Sequence, residues 1–189
     1  MHGTFLAVYQ HKLCNLQVMF IFEFDTNMTG INVTKIAIFV DVQNIYYTSR
    51  DTFGRPFNYR KFWQRVSQQG EIVVANAYAT HRGDDGQKKF QDALHHIGFN
   101  VKLKPFIQRQ DGSAKGDWDV GITIDVMEAA REVDTVILLS GDGDFDLLLT
   151  KIRKDYGVTT NVYGVQSLTA KSLIDASDQF TVIDEGLLL

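Results

Sequence analysis

Three aspartates, Asp142, Asp144 and Asp146, stand at alternate positions directly after the apolar run of residues 136–139. A continuous aliphatic run is typical of a parallel strand that is buried on both faces, and a helical pattern begins at Phe145. The acids are therefore expected on a strand-to-helix turn, at the strand end where open α/β sheets bind ligands. Crowded carboxylates repel one another unless a cation offsets them, and hard cations such as Mg²⁺ favour carboxylate oxygens.

Two of these aspartates belong to the sequence Gly-Asp-Gly-Asp at positions 141–144, which is also common in simple turns. Glycine adopts positive φ without strain, and an aspartate can cap the helix that follows. Taken alone, this segment leaves a simple turn and a metal site equally open, so other parts of the chain must decide.

A second apolar run, residues 35–40, ends in Asp41. If the two runs form parallel strands, Asp41 and Asp142 lie at the same edge of the sheet, which capping alone does not explain. Asn44 is expected to cap the next helix or to orient a water or a phosphate. Ser140 is expected either to donate a hydrogen bond at this edge or to satisfy the backbone at the strand end.

A third acidic cluster contains Asp117, Asp119 and Asp125. Asp117 is placed to cap a helix, and Asp119 falls in its first turn. Asp125, six residues further on, lies about 120° round the helix and roughly 9 Å along it. Asp119 and Asp125 both border the apolar face around Ile122. Asp119 is therefore predicted to share a metal with the strand ends, and Asp125 to have a supporting or substrate-side role.

Acids from three separate segments at one edge favour phosphoryl chemistry assisted by Mg²⁺ or Mn²⁺. Such a metal lowers the pKa of a bound water, orients it and neutralises charge on the leaving oxygen. One or two carboxylates for each ion, together with phosphate oxygens, complete an octahedral shell.

Strands and helices alternate along the chain, which predicts an α/β fold with a mainly parallel sheet and helices on both faces. A loop is predicted over residues 107–116. The predicted strands cover 35–41, 71–80, 99–106, 135–139, 159–163 and 180–183, and the longer predicted helices cover 58–69, 86–97, 117–132, 145–156 and 168–176.

Composition limits the class of protein. The 189 residues carry a net charge of −4, and the single cysteine, Cys14, excludes an internal disulfide and a cysteine-type zinc site. This fits a reducing compartment, and we expect a cytoplasmic protein without a membrane partner. Residues 16–24 are apolar but too short to span a bilayer. Residues 1–33 are interpreted as an extension, either an extra strand or a loosely packed segment, and residues 34–189 as one domain.

Three segments, residues 39–44, 115–125 and 140–145, together resemble the NYN family. This family is the ribonuclease-like branch of the PIN-like superfamily and includes the LabA-type bacterial proteins. The resemblance implies a Rossmann-like PIN/NYN fold, a divalent-metal centre and cleavage of RNA phosphodiesters. It marks as the acidic centre Asp41, Asp119, Asp142 and Asp144, surrounded by Asn44, Lys115, Asp125 and Ser140. Two further acids, Asp117 and Asp146, depart from the family pattern and leave the ligand set open.

A nuclease with net negative charge must concentrate its cations near the site. Arg82 and Lys115 are the favoured phosphate contacts, because both are predicted in loops at the acidic edge. Aromatic side chains near these positions can stack the bases of single-stranded RNA, and for each of them a core position is at least as well supported. These are Tyr46, Tyr47, Phe53 and Trp118.

Three functions are compatible with a parallel α/β sheet that carries acids at one edge. The favoured one is a metal-dependent ribonuclease that cuts RNA internally, and its alternative is a non-catalytic RNA-binding or regulatory interaction module on the same fold. A receiver domain or aspartyl phosphatase is disfavoured, because Asp41 lacks a second aspartate two residues on and a following threonine. The oligomeric state stays open, a dimer included.

Overall fold

The computed structural model describes the backbone of residues 6–13, 16–23, 33–81, 85–105, 107–108, 114–115 and 118–189. Side chains are described for residues 33–80, 86–104 and 118–189. The chain comprises two units, residues 1–33 and 34–189. In the first unit, β1 (Leu6–Leu13) and β2 (Leu16–Glu23) pair as an antiparallel hairpin.

The second unit contains a six-stranded, fully parallel sheet in the order β10-β9-β8-β3-β4-β5. Within this sheet the first strand in sequence, β3, is central. β4 and β5 are added on one side of it, and β8, β9 and β10 then follow on the other side. The order of the strands therefore reverses between β3 and β8, and ligands bind at such a point in open α/β sheets. The strands after the hairpin are β3 (Lys35–Asp41), β4 (Glu71–His81), β5 (Asn100–Pro105), β6 (Ile107–Gln108), β7 (Ala114–Lys115), β8 (Thr135–Leu139), β9 (Thr159–Gly164) and β10 (Gln179–Val182).

In the part of the chain that the structure describes, six α-helices connect these strands, and local residues define where they begin and end. Asn58 caps the second helix by accepting a hydrogen bond from the Lys61 amide at 3.0 Å. Gly54 and Gly157, with φ of 65° and 68°, end the first and fifth helices in the left-handed region that favours glycine. The helices are α1 (Val42–Phe53), α2 (Tyr59–Val66), α3 (Asp85–Ile97), α4 (Asp119–Ala129), α5 (Asp146–Tyr156) and α6 (Lys171–Ala176).

Helices cover both faces of the sheet and form two hydrophobic cores. Side chains alternate along a strand, so Ile38 and Val40 of β3 pack with α1, α2 and α3, whereas Phe39 packs with α4, α5 and α6. This alternation explains why β3 is apolar at every position from 36 to 40. The predicted α/β architecture is confirmed.

The structure departs from the predicted elements within the loop 107–116 and at several helix ends. The predicted helices 58–69 and 117–132 end at Val66 and Ala129. Within the predicted loop 107–116, β6 and β7 pair antiparallel, Ile107 with Lys115 and Gln108 with Ala114. Strands of two residues are too short to show an alternating pattern. The predicted helix 168–176 begins only at Lys171, after a 3-10 turn at Gln166–Leu168. Among the described residues, no helix combines the length and the apolar character that crossing a membrane requires.

Replacing a buried and an exposed leucine can test how much the core contributes to the free energy of unfolding. Leu138 in β8 has an exposed fraction of 0%, whereas Leu147 in α5 is 78% exposed. Leu138→Ala should lower the free energy of unfolding by about 2–5 kcal/mol, because it leaves a cavity at the centre of the sheet. The matched Leu147→Ala should change it by less than about 0.5 kcal/mol. Urea unfolding measures both, and equal effects would contradict the packing described here.

Candidate metal centre

Three carboxylates meet at the carboxyl edge of the sheet. One oxygen each from Asp119, Asp142 and Asp144 can be chosen so that all three lie within 4.8 Å of one another. Asp119 and Asp142 are half-buried, and Asp144 is exposed. Asp119 comes from the first turn of α4, whereas the other two follow β8, so separate segments build this three-carboxylate group.

Hydrogen bonds within the turn after β8 hold two of these acids in place. The buried Ser140 hydroxyl accepts a hydrogen bond from the Asp142 amide at 3.2 Å, and Asp142 Oδ1 accepts one from the Asp144 amide at 3.0 Å. The buried Phe145 ring anchors the 3-10 turn Gly143–Phe145 in the core. Of the two roles expected for Ser140, the structure shows the second, since its hydroxyl satisfies the backbone at the strand end.

Asn44 joins the start of α1 to this turn. Its Oδ1 accepts a hydrogen bond from the Gly141 amide at 2.8 Å. Gly141 has no room for a side chain, because a Cβ there would lie 2.6 Å from the Leu168 carbonyl oxygen. The predicted cap function of Asn44 is wrong: Asp41 is the cap of α1, and its Oδ1 accepts a hydrogen bond from the Asn44 amide at 3.1 Å.

Asp41 lies beside the three-carboxylate group but is not one of its members. Burial raises the pKa of its carboxyl to about 6, and the negative charges of Asp119 and Asp142 add to the increase. Two backbone hydrogen bonds, from Asn44 and Gln43, oppose it. Asp41 is therefore close enough to sense the group electrostatically, and its charged form is costly in the metal-free protein.

The chemistry of this edge fits a hard divalent cation. Asp41, Asp142 and Asp144 form no ion pair with any side chain that the structure describes. The donors that meet here are carboxylate oxygens, which suit Mg²⁺ and Mn²⁺, whereas zinc sites are usually built from cysteine and histidine. The residues present therefore fit the metal that the sequence implied.

Asp125 belongs to a different cluster, in which its side chain is already engaged. Its Oδ2 accepts hydrogen bonds from Lys102 Nζ at 2.5 Å, from the Tyr78 hydroxyl and from Asn76 Nδ2 at 3.4 Å. This network links α4 to β4 and β5. Sequence reasoning missed Tyr78, Lys102 and Asn76 as partners, although an asparagine within the apolar strand Glu71–His81 was a visible signal.

The remaining predicted residues are not members of the three-carboxylate group or lie outside the described residues. Asp146 is the first residue of α5 and is half-buried. Trp118 packs on Tyr78, with ring centroids 5.2 Å apart, and its Nε1 donates to the Ala79 carbonyl at 3.0 Å, so it has a packing role. Arg82, Asp117 and the side chain of Lys115 lie outside the described residues.

The raised pKa of Asp41 predicts a pH-dependent gain in stability for Asp41→Asn. Between its unfolded pKa of 3.8 and its folded pKa of about 6, the folded protein binds more protons than the unfolded chain, so stability falls as the pH rises. An asparagine at position 41 can still cap α1 but carries no charge. In EDTA at pH 7.5, the variant should gain about 1–3 kcal/mol in the free energy of unfolding. The gain should shrink to nothing near pH 4, and a gain independent of pH in urea unfolding would contradict the assignment.

Comparison with known proteins gives a family match, a related protein and a related crystal structure. The family model of the NYN domain matches residues 35–184. The low amplitude and bright protein LabA of Synechococcus elongatus is 28% identical over 160 residues, which cover 80% of this chain and 85% of that protein. A crystal structure of a protein of unknown function from Vibrio parahaemolyticus matches with a TM-score of 0.81 and 52% identity, covering 86% of this chain and all of that one. The chain belongs to the NYN domain family of the PIN-like nuclease superfamily.

Proposed function

We propose that the protein is a divalent-metal-dependent ribonuclease that cuts RNA internally. The observation that carries this proposal is the meeting of Asp119, Asp142 and Asp144 within 4.8 Å, at the edge where the strand order reverses. Membership of a nuclease superfamily supports the same reaction class. Phosphodiester cleavage needs charge neutralisation and an activated water, and an acidic cluster of this kind serves both through a bound cation.

Asp119, Asp142 and Asp144 would hold Mg²⁺ or Mn²⁺, with Asp41 as a neighbouring fourth carboxylate. When bound, the cation would supply a water of lowered pKa and neutralise charge on the phosphodiester oxygens. The chain's own residues keep the carboxylates in position. Ser140 and Asn44 fix the backbone of the turn after β8, and burial of Phe145 prevents the turn from moving away.

Binding of substrate needs positive charge near these acids. Arg82 and Lys115 stay the predicted phosphate contacts: Arg82 directly follows β4, and Lys115 lies four residues before Asp119 in the sequence. Tyr46 and Tyr47 are exposed on α1, the helix that begins directly after Asp41. Among the described aromatic residues, they are the ones that we expect to contact bases.

Metal binding can be tested without any assay of activity. A saturating concentration of Mn²⁺, about 100 times the dissociation constant, should stabilise the protein by about 2.7 kcal/mol. For a domain of this size, that corresponds to a rise in melting temperature of about 5–10 °C. Asp142→Asn retains the hydrogen-bond acceptor for the Asp144 amide but removes a ligand charge, so most of the increase should be lost. Asp155→Asn, at the far end of α5, should behave as the wild type. An equal increase in all three proteins would argue against this site.

Cleavage is tested with end-labelled single-stranded RNA in Mn²⁺ or Mg²⁺, beside an EDTA control. The wild type and Asp155→Asn should release internal fragments, whereas Asp142→Asn should fall to the level of the EDTA control, because a metal ligand is missing. Cutting that persists in Asp142→Asn would point to a contaminating nuclease. RNA binding without cutting in the wild type would favour the non-catalytic RNA-binding module.

A further inference from the structure

A cleft of about 770 Å³ begins at the residues that directly follow Asp41 in the chain. Its walls are α1, α3 and residues 56–60 at the start of α2, with Ala79 and Thr80 near the end of β4 also lining it. Val42 and Gln43, the two residues that follow Asp41, form part of the wall, so the cleft begins where the acidic edge ends. A volume of this size is typical of sites that bind small organic groups, which span about 300–1,000 Å³.

The α1 wall combines aromatic rings with a cation. Gln43, Tyr46, Tyr47 and Arg50 follow one another at helical spacing and share one face of the helix. Tyr46 and Tyr47 are 43% and 48% exposed, with ring centroids 5.3 Å apart in an edge-to-face arrangement. The Arg50 guanidinium lies 5.1 Å from the centroid of the Tyr46 ring. Exposed rings beside a cation are suited to stacking on a flat, anionic ligand.

The α3 wall adds apolar surface and amide groups. Phe90 packs edge-on against Tyr59, with centroids 5.6 Å apart, and Gln87 and Gln91 lie three residues before and one residue after it on the cleft-lining side of α3. A glutamine side chain offers both a carbonyl acceptor and two amide donors. The edges of nucleobases carry donors and acceptors of the same kind, and Arg60 lines the rim with a second positive charge.

We propose that this cleft binds an unpaired nucleobase of the RNA strand whose backbone lies at the three-carboxylate group, an inference that rests on the proposed ribonuclease function. Stacking on Tyr46 and Tyr47 accepts any base, because every base has an aromatic face. Arg50 and Arg60 offset the charge of the strand, and the amides of α3 contact the base edge. A base inside a duplex is stacked and paired and cannot enter, so the substrate is single-stranded.

The direct test measures RNA affinity in the Asp142→Asn background, which keeps the RNA intact. The probes are a fluorescein-labelled single-stranded pentaribonucleotide, a set in which each base in turn is replaced by an abasic site, and a duplex of the same sequence. Adding Tyr46→Ala and Tyr47→Ala should raise the dissociation constant about tenfold or more, because stacking contributes about 1–3 kcal/mol for each base. At least one abasic probe should bind weakly to the Asp142→Asn protein. Adding the two tyrosine substitutions should not weaken the binding of that probe further.

A matched control lies at the opposite edge of the sheet. There Arg131 sits 5.9 Å from the centroid of the Tyr156 ring, a pair of the same type as Arg50 and Tyr46. Tyr156→Ala and Arg131→Ala should leave RNA affinity unchanged, whereas Arg50→Ala should reduce it severalfold. Circular dichroism confirms that each variant is folded, and Arg50→Ala tests the contribution of the cation while both rings are kept.

The outcomes separate this inference from the proposed function. If the wild type cuts RNA but the tyrosine variants bind and cut equally well, the ribonuclease stands and the base-binding cleft is wrong. Tight binding of the duplex, or no RNA binding at all, also overturns the cleft. A further outcome is that the wild type does not cut RNA, while removal of the two rings and removal of one base lower the affinity by the same, non-additive amount. In that case the base-binding cleft stands and the proposed ribonuclease activity is wrong.

Discussion

The parallel pairing of β3 with β8 is the constraint on which the site depends. Val40 is in register with Leu139, so Asp41 and the turn that begins at Ser140 leave the sheet side by side. Both strands are apolar throughout their buried residues, 36–40 and 136–139, because helices cover both faces, and this burial holds their register. The hydrogen bond from the Gly141 amide to Asn44 holds the turn after β8 against the first turn of α1, next to the acids that follow the two strands.

Such an arrangement costs stability in the metal-free protein. The carboxyl of Asp41 is largely removed from water and faces the charges of Asp119 and Asp142, which together raise its pKa to about 6. A protein selected for stability alone would place a neutral residue there, since an uncharged cap such as asparagine serves the helix equally well. An unfavourable charge retained at a ligand-binding edge is a common feature of functional sites.

Two helices link this edge to the rest of the molecule in different ways. α4 carries Asp119 in its first turn, and the contact of Asp125 with Lys102 and Tyr78 fastens its next turns to β4 and β5. Gly121 allows the Trp118 ring to pack closely at the start of the helix, because a Cβ there would lie 2.7 Å from the ring. α1 begins at the acids and continues along the cleft, so one rigid element joins the proposed metal site and the proposed base site.

The sequence by itself determines the α/β class, the order of the elements and the convergence of Asp41 with Asp142, because apolar runs, glycines and caps act locally. It also identifies the family, since three short segments occur in order. Only the tertiary structure decides that Asp41, not Asn44, caps α1, that Asp41 stands outside the three-carboxylate group, and that Lys102 and Tyr78 engage Asp125. It alone brings α1 and α3 together around the aromatic cleft. Apart from the local cap of α1, these contacts join residues from separate elements, and their partners depend on how helices pack across the sheet, which no local pattern records.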